Sequence, residues 1–212
     1  MNLHPTPSMQ AIYFAFNLLR TELSPKLAYH NLWHTAEEVL PGCAQIAQYA
    51  GISDEDWALL EVAAVYHDVG YTETYANHEL VGARIAAQTL PQYGFRNREI
   101  EQVMGMIFAT RIPQSPRSLL EEILADADLD VLGRPDFMAR NVALRQEWCN
   151  YGRETPLEQW YEGQLAFLRN HNYFTPAARM LRNEQKKKNI SLLEDKLREI
   201  QRSAPSFVEN AP

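Results

Sequence analysis

Apolar residues in this chain recur with a helical period from end to end, and no stretch alternates as a half-buried strand would. That pattern excludes sheet-based architectures and predicts an all-α fold. Nine segments carry the period. Six of them span 8–22, 34–49, 77–90, 96–109, 117–132 and 136–151. The third in chain order, EDWALLEVAAVYHDV, follows Ser53, a predicted N-cap backed by Asp54, Glu55 and Asp56 in the first turn. Thr155-Pro156 and Thr175-Pro176 each pair a capping residue with a proline and open the last two helices, the final one running toward Gln201. Pro41-Gly42, Pro91 and the run Ile112-Pro113-Gln114-Ser115-Pro116 read as punctuation. The third segment is almost wholly apolar after Asp56, so it is expected at the centre of the bundle. One helical domain over 1–202 is expected, with a flexible tail over 203–212.

Charge narrows the partners. The chain has 212 residues with 20 basic and 27 acidic side chains, a net charge of -7. No basic footprint exists for a nucleic-acid polymer. Eight Lys/Arg against four Asp/Glu over 179–202 make the last helix the basic exception; its Lys186-Lys187-Lys188 run reads as a solvated face. No apolar run nears the roughly 20 residues of a membrane span. MNLHPTPSMQ lacks the features of a signal peptide. Cys43 and Cys149 are expected to be free thiols in a reducing cytoplasm. Neither has a convincing histidine partner, and nucleophile elbows, Walker loops and dinucleotide fingerprints are missing. Ile190, Leu193, Leu197 and Ile200 share one face of the last helix, read as core or packed flank, with a homodimer contact left open.

Three features converge on metal chemistry. In YHNLWH (29–34), His30 and His34 are four apart and would share one face of a helix. In AAVYHDVGY (63–71), His67 and Asp68 end an apolar helix, where a buried charge must be paired or coordinated. In ILADADLDVLG (123–133), Asp126, Asp128 and Asp130 cannot all face one way on a helix, since each step of two turns the bearing by about 200°. Each feature has a plainer reading: capping histidines, a solvated His-Asp pair, an acidic exposed face.

Taken in order, His34, then the His67-Asp68 doublet, then an aspartate about 60 residues on, this set resembles the HD superfamily of metal-dependent phosphohydrolases. YHNxxH is similar to the cyclic-nucleotide phosphodiesterases. NHELVGARIA (77–86), FATRIP (108–113), DADLDVLG (126–133) and YGRETPLEQWYEGQLAFL (151–168) resemble a bacterial branch of predicted HD phosphohydrolases. The resemblance covers roughly residues 28–180. It implies a helical HD core over about 28–133 with a helical extension over about 134–202. It also implies a divalent cation (Mn, Fe, Ni, Co, Zn or Mg) held by His34, His67, Asp68 and an aspartate of the DADLD run. Asp128 fits that place best, Asp126 is the alternative, and Asp130 is expected to be exposed. Asp68 would also serve catalysis, and His30 would act as the general acid. His78, Glu79, Arg111 and Tyr71 are substrate-side candidates, with Arg84 a weaker phosphate contact; His4 and His171 are assigned to structure or surface. The implied substrate is a small phosphorylated metabolite, a nucleotide in first place. The competing class is a non-catalytic HD module that binds metal and nucleotide.

Overall fold

Ser53 accepts a hydrogen bond from the Asp56 amide at 3.1 Å, and three acidic residues of the first turn face the positive end of the helix dipole. This launches α3 (Asp54–Tyr66), in which Leu60 and every residue from Val62 to Tyr66 are buried. In the computed structural model, which describes residues 6–203, α3 is the axis of the fold. Around it lie α1 (Pro7–Glu22), α2 (Leu40–Ala50), α4 (His78–Thr89), α5 (Asn97–Ala109) and α6 (Leu119–Asp128). α7 (Phe137–Asn150), α8 (Leu157–Asn170) and α9 (Pro176–Ser203) complete the chain. The architecture is all-α, with no strand among the described residues. Nor is any described helix long and apolar enough to cross a membrane. His4 and the tail from 204 lie outside the described residues.

Two apolar cores form. The larger joins α1 to α6 through residues such as Ala15, Leu19, Ile46, Tyr66, Val103 and Ile123. The smaller joins α7, α8 and α9 through Phe137, Trp160, Leu168, Leu193 and Leu197, and Tyr29 reaches into it from the first half of the chain. Leu193 and Leu197 are thus packed core, as the spacing of α9 predicts.

Local chemistry moves several boundaries. The expected helix over 34–49 opens with a π-helical turn, His34–Val39, and Pro41-Gly42 continue it instead of breaking it. Pro41 follows directly on the π-helical turn, among the first residues of α2. α3 stops at Tyr66; His67 caps it, Asp68 leaves helical geometry, and a 3-10 turn, Val69–Thr72, follows. α6 stops at Asp128, and the 3-10 turn Asp130–Gly133 replaces the expected continuation to 132. Thr175 does cap α9, accepting from the Ala178 amide at 3.0 Å. Thr155 does not cap α8, which starts one residue later than the Thr-Pro pattern suggests, at Leu157 after Pro156. The Thr155 carbonyl instead accepts from Arg145 Nη2 at 2.9 Å.

Two aspartates join the cores. Asp126 is fully buried and accepts from the Phe174 amide (2.8 Å), the Thr175 amide (2.8 Å) and the Thr175 hydroxyl (2.7 Å). Asp130 is 2% exposed and pairs with Arg182 of α9 at 2.5 Å, contrary to its expected exposure. Its charge is buried because a cation from the far side of the chain meets it. Lys186 also departs from the solvated face expected of the lysine run. It is 7% exposed, and its ammonium lies 3.1 Å from His171 Nδ1 and donates to the His171 carbonyl. That places a cation on the C-terminus of α8, where the helix dipole favours one.

Candidate metal centre

The end of α3 and the 3-10 turn after it bring His67 and Asp68 into the middle of the protein. Gly70 makes this possible. A Cβ at that position would stand 1.9 Å from the His78 carbonyl oxygen, so only glycine lets the turn lie against the start of α4. The close approach sets His78 beside Asp68.

The tautomers of two histidines follow from their outer partners. His67 Nδ1 lies 2.7 Å from the Ala64 carbonyl oxygen. A carbonyl only accepts, so Nδ1 carries the proton and Nε2 offers a lone pair. His34 Nδ1 lies 2.9 Å from Glu38 Oε2, which accepts in the same way and leaves His34 Nε2 facing inward. His67 Nε2 is 3.1 Å from Asp68 Oδ2 and 3.5 Å from Asp128 Oδ1. His34 Nε2 is 3.8 Å from Asp68 Oδ2 and 3.4 Å from Asp128 Oδ1. One ligand atom from each of His34, His67 and Asp68 lies within 4.8 Å of the others, and all three residues are buried. His67 Nε2 and Asp68 Oδ2 are buried without a hydrogen-bond partner.

Lone pairs and carboxylate oxygens turned toward one point repel each other unless a positive charge sits among them. The electrostatics of the bare side chains say the same. Burial alone would raise the Asp68 and Asp128 carboxyls, yet the neighbouring histidines hold both well below the usual carboxylate range. Burial alone would lower His34 and His67. Asp128 and Glu38 outweigh it at His34, and Asp68 and Asp128 outweigh it at His67, so both imidazoles are raised. The site calls for a cation, and its two nitrogens and two carboxylates suit a divalent transition metal.

Among the aspartates of the DADLD run, Asp128 faces the histidines. The alternative, Asp126, is corrected: its carboxylate is engaged by Phe174 and Thr175, which leaves it no place at the centre.

The remaining candidates surround this cluster unequally. His78 Nε2 lies 3.5 Å from Asp68 Oδ1, the oxygen turned away from His34 and His67, so the two oxygens of Asp68 serve different neighbours. The His78 ring stacks on Tyr71 with centroids 3.8 Å apart, and Tyr71 stacks in turn against His30 at 4.8 Å. Burial, then the charges of Asp68 and Glu147, push the Tyr71 hydroxyl far up, so it stays protonated. Glu79 is buried, with Oε2 3.8 Å from His78 Nδ1. Arg111 is exposed, with Nη2 3.4 Å from Asn77 Oδ1 at the start of α4. Arg84 is taken by Glu73 and has no free guanidinium for phosphate. His171, expected at the surface or in structure, is structural: it faces Lys186.

His30 does not share a helix face with His34, because it lies in the irregular segment before the π-helical turn. The rings are still close, at 5.7 Å between centroids. What holds His30 is Glu147 of α7, fully buried, with Oε1 2.5 Å from His30 Nδ1. The other oxygen, Oε2, accepts from the amides of Tyr29 (2.8 Å) and His30 (2.9 Å). Tyr75 donates to Oε1 as well, at 3.3 Å. Sequence reasoning missed Glu147, and also Glu38, Arg134 and Arg140 behind His34. Only Glu38 carried a readable signal, its position four residues after His34.

Comparison with known proteins fits this geometry. Residues 36–130 match the family model of the HD domain. A crystal structure described as a predicted HD superfamily hydrolase from an uncultured Thermotogales bacterium is similar to this chain. It is 20% identical, superposes with a TM-score of 0.59, and the likeness covers 90% of this chain and 91% of that one. At that identity the likeness is one of fold. No curated protein matches the chain. The segment that carries His67, Asp68 and Asp128, residues 36–130, is an HD domain.

Proposed function

We propose that this chain is a metal-dependent phosphohydrolase acting on a small phosphorylated metabolite, with nucleotides the first class to test. The observation that carries this reading is the buried convergence of His34, His67, Asp68 and Asp128, with two of the converging atoms lacking any hydrogen-bond partner. When bound there, a divalent ion supplies Lewis acidity for a phosphoryl oxygen and lowers the pKa of coordinated water.

The side chains supply the rest. Asp68 holds one oxygen toward His34 and His67 and the other toward His78, so it links the ligand cluster to the substrate side. Glu147 takes the proton on His30 Nδ1 as a hydrogen bond, which leaves Nε2 as the atom that hands a proton to the leaving oxygen. The stacked rings of His30, Tyr71 and His78 form an aromatic wall suited to a planar base. Arg111, exposed and in contact with Asn77 at the start of α4, would take the phosphate through its guanidinium N–H groups. A reducing, cytoplasmic setting fits the free thiols Cys43 and Cys149.

The test is metal analysis of the purified protein, followed by phosphate release from a panel of nucleoside monophosphates, diphosphates, cyclic nucleotides and pyrophosphates with added Mn²⁺. Wild type is expected to turn over at least one class, and His67→Ala to lose both metal and turnover. A His67→Ala protein that keeps both would overturn the reading. Metal binding without turnover of any phosphoester would assign the chain to the non-catalytic class.

A further inference from the structure

Glu38 is buried, four residues beyond His34 on the π-helical turn, and touches neither the ion position nor the substrate side. Its surroundings are unusual for a carboxylate. Oε2 accepts from His34 Nδ1 at 2.9 Å and lies 2.8 Å from Arg140 Nη2. Oε1 lies 3.1 Å from Arg134 Nη2. Both arginines come from beyond residue 130, outside the HD domain: Arg134 from the segment before α7, and Arg140 from α7 itself. Arg140 is fixed in turn, donating to the Tyr29 carbonyl at 3.0 Å and lying over the rings of Tyr29 (4.4 Å) and Trp33 (5.0 Å).

A carboxylate that accepts the outer N–H of a metal-bound imidazole fixes the ring and strengthens its inner nitrogen as a donor. Burying that carboxylate is costly without cations beside it. We infer that Glu38 is a positioning residue for the metal centre, that Arg134 and Arg140 hold its carboxylate in place, and that the helical extension thereby sets how tightly His34 grips the ion. This inference rests on the metal centre proposed above and adds to it a residue set that touches neither ion nor substrate.

The experiment titrates metal-free protein with Co²⁺, reading the visible absorption of the bound ion and its affinity by chelator competition. Glu38→Gln keeps the volume and removes the charge. It is expected to weaken Co²⁺ binding about 10- to 100-fold and to shift the absorption band, while circular dichroism stays that of wild type. Glu38→Asp keeps a charge for the two arginines but withdraws the oxygen from His34 by one methylene. It is expected to weaken binding in the same direction, and it carries the test if Glu38→Gln does not fold. A residue that served folding alone would change the melting temperature and leave the Co²⁺ spectrum untouched. Wild-type affinity and spectrum in the folded variants overturn the inference. His67→Ala separates the two levels. If it binds Co²⁺ as wild type does, the metal centre itself is wrong; if it loses Co²⁺ while the Glu38 variants keep it, only the role of Glu38 is wrong.

Discussion

The α1–α6 bundle and the α7–α9 extension contribute to the same centre in different ways. The bundle, with the segment leading into it, brings every atom that faces the ion position: His34, His67, Asp68 and Asp128. The extension brings none of these. Its Glu147 bonds to His30, and its Arg134 and Arg140 flank the carboxylate behind His34. The lesson is that the ligand atoms come from one region, while part of what holds them and their neighbours in place comes from the other.

The sharpest break is Glu147→Gln. It removes the charge behind His30 but no ligand, so turnover is expected to fall by about 10²-fold or more while bound metal is unchanged. Steady-state rates and metal analysis on one preparation check this, and parallel loss of metal would dissolve the distinction between the two regions. Gly70→Ala attacks the bundle side. Its Cβ meets the His78 carbonyl oxygen, and unfolding in urea should show a loss of about 3 kcal/mol.

Asp126→Asn tests the seam between the cores. Three donors lose a charged acceptor, and stability should drop by about 2 kcal/mol with metal content unaltered. Loss of metal in that variant would mean that Asp126 serves the ion after all. The smallest effect belongs to the extension alone. Burial, then the charge of Lys186, depresses His171 to about 4. An imidazole depressed on folding is neutral in the native state and takes up its proton more readily when unfolded. Its stabilising contribution is therefore complete above about pH 6.5 and is lost as pH falls from there toward 4. Between those limits wild type should lose about 1 kcal/mol more than His171→Gln, measured by urea unfolding at a series of pH values.

How much of this was legible in the chain depends on distance along it. The helices announced themselves through period and caps, and Ser53 and Thr175 act as their types predict. His34, His67, Asp68 and Asp128 were singled out because their order and spacing resemble the HD pattern, since each feature alone also had a plainer reading. Glu147 was not, since its partner His30 lies 117 residues away and a glutamate in a polar helix ordinarily faces water. The same habit misassigned Asp130 and Lys186. Each is buried because a partner from another segment meets it, and no local pattern announces such a meeting. The shared face considered for His30 and His34 does not form for a different reason: spacing by four implies a shared face only where the backbone is already helical, and His30 precedes the helix.

Arg140 and Glu147 stand seven residues apart on α7, about two turns of one helix, and from there they hold opposite polar groups of Tyr29, its carbonyl and its amide. The interval works as a ruler. Adding or deleting a single residue between them would swing one side chain about 100° around the axis and release one end of the grip. The length of that short stretch is therefore under tighter constraint than the identity of most residues within it.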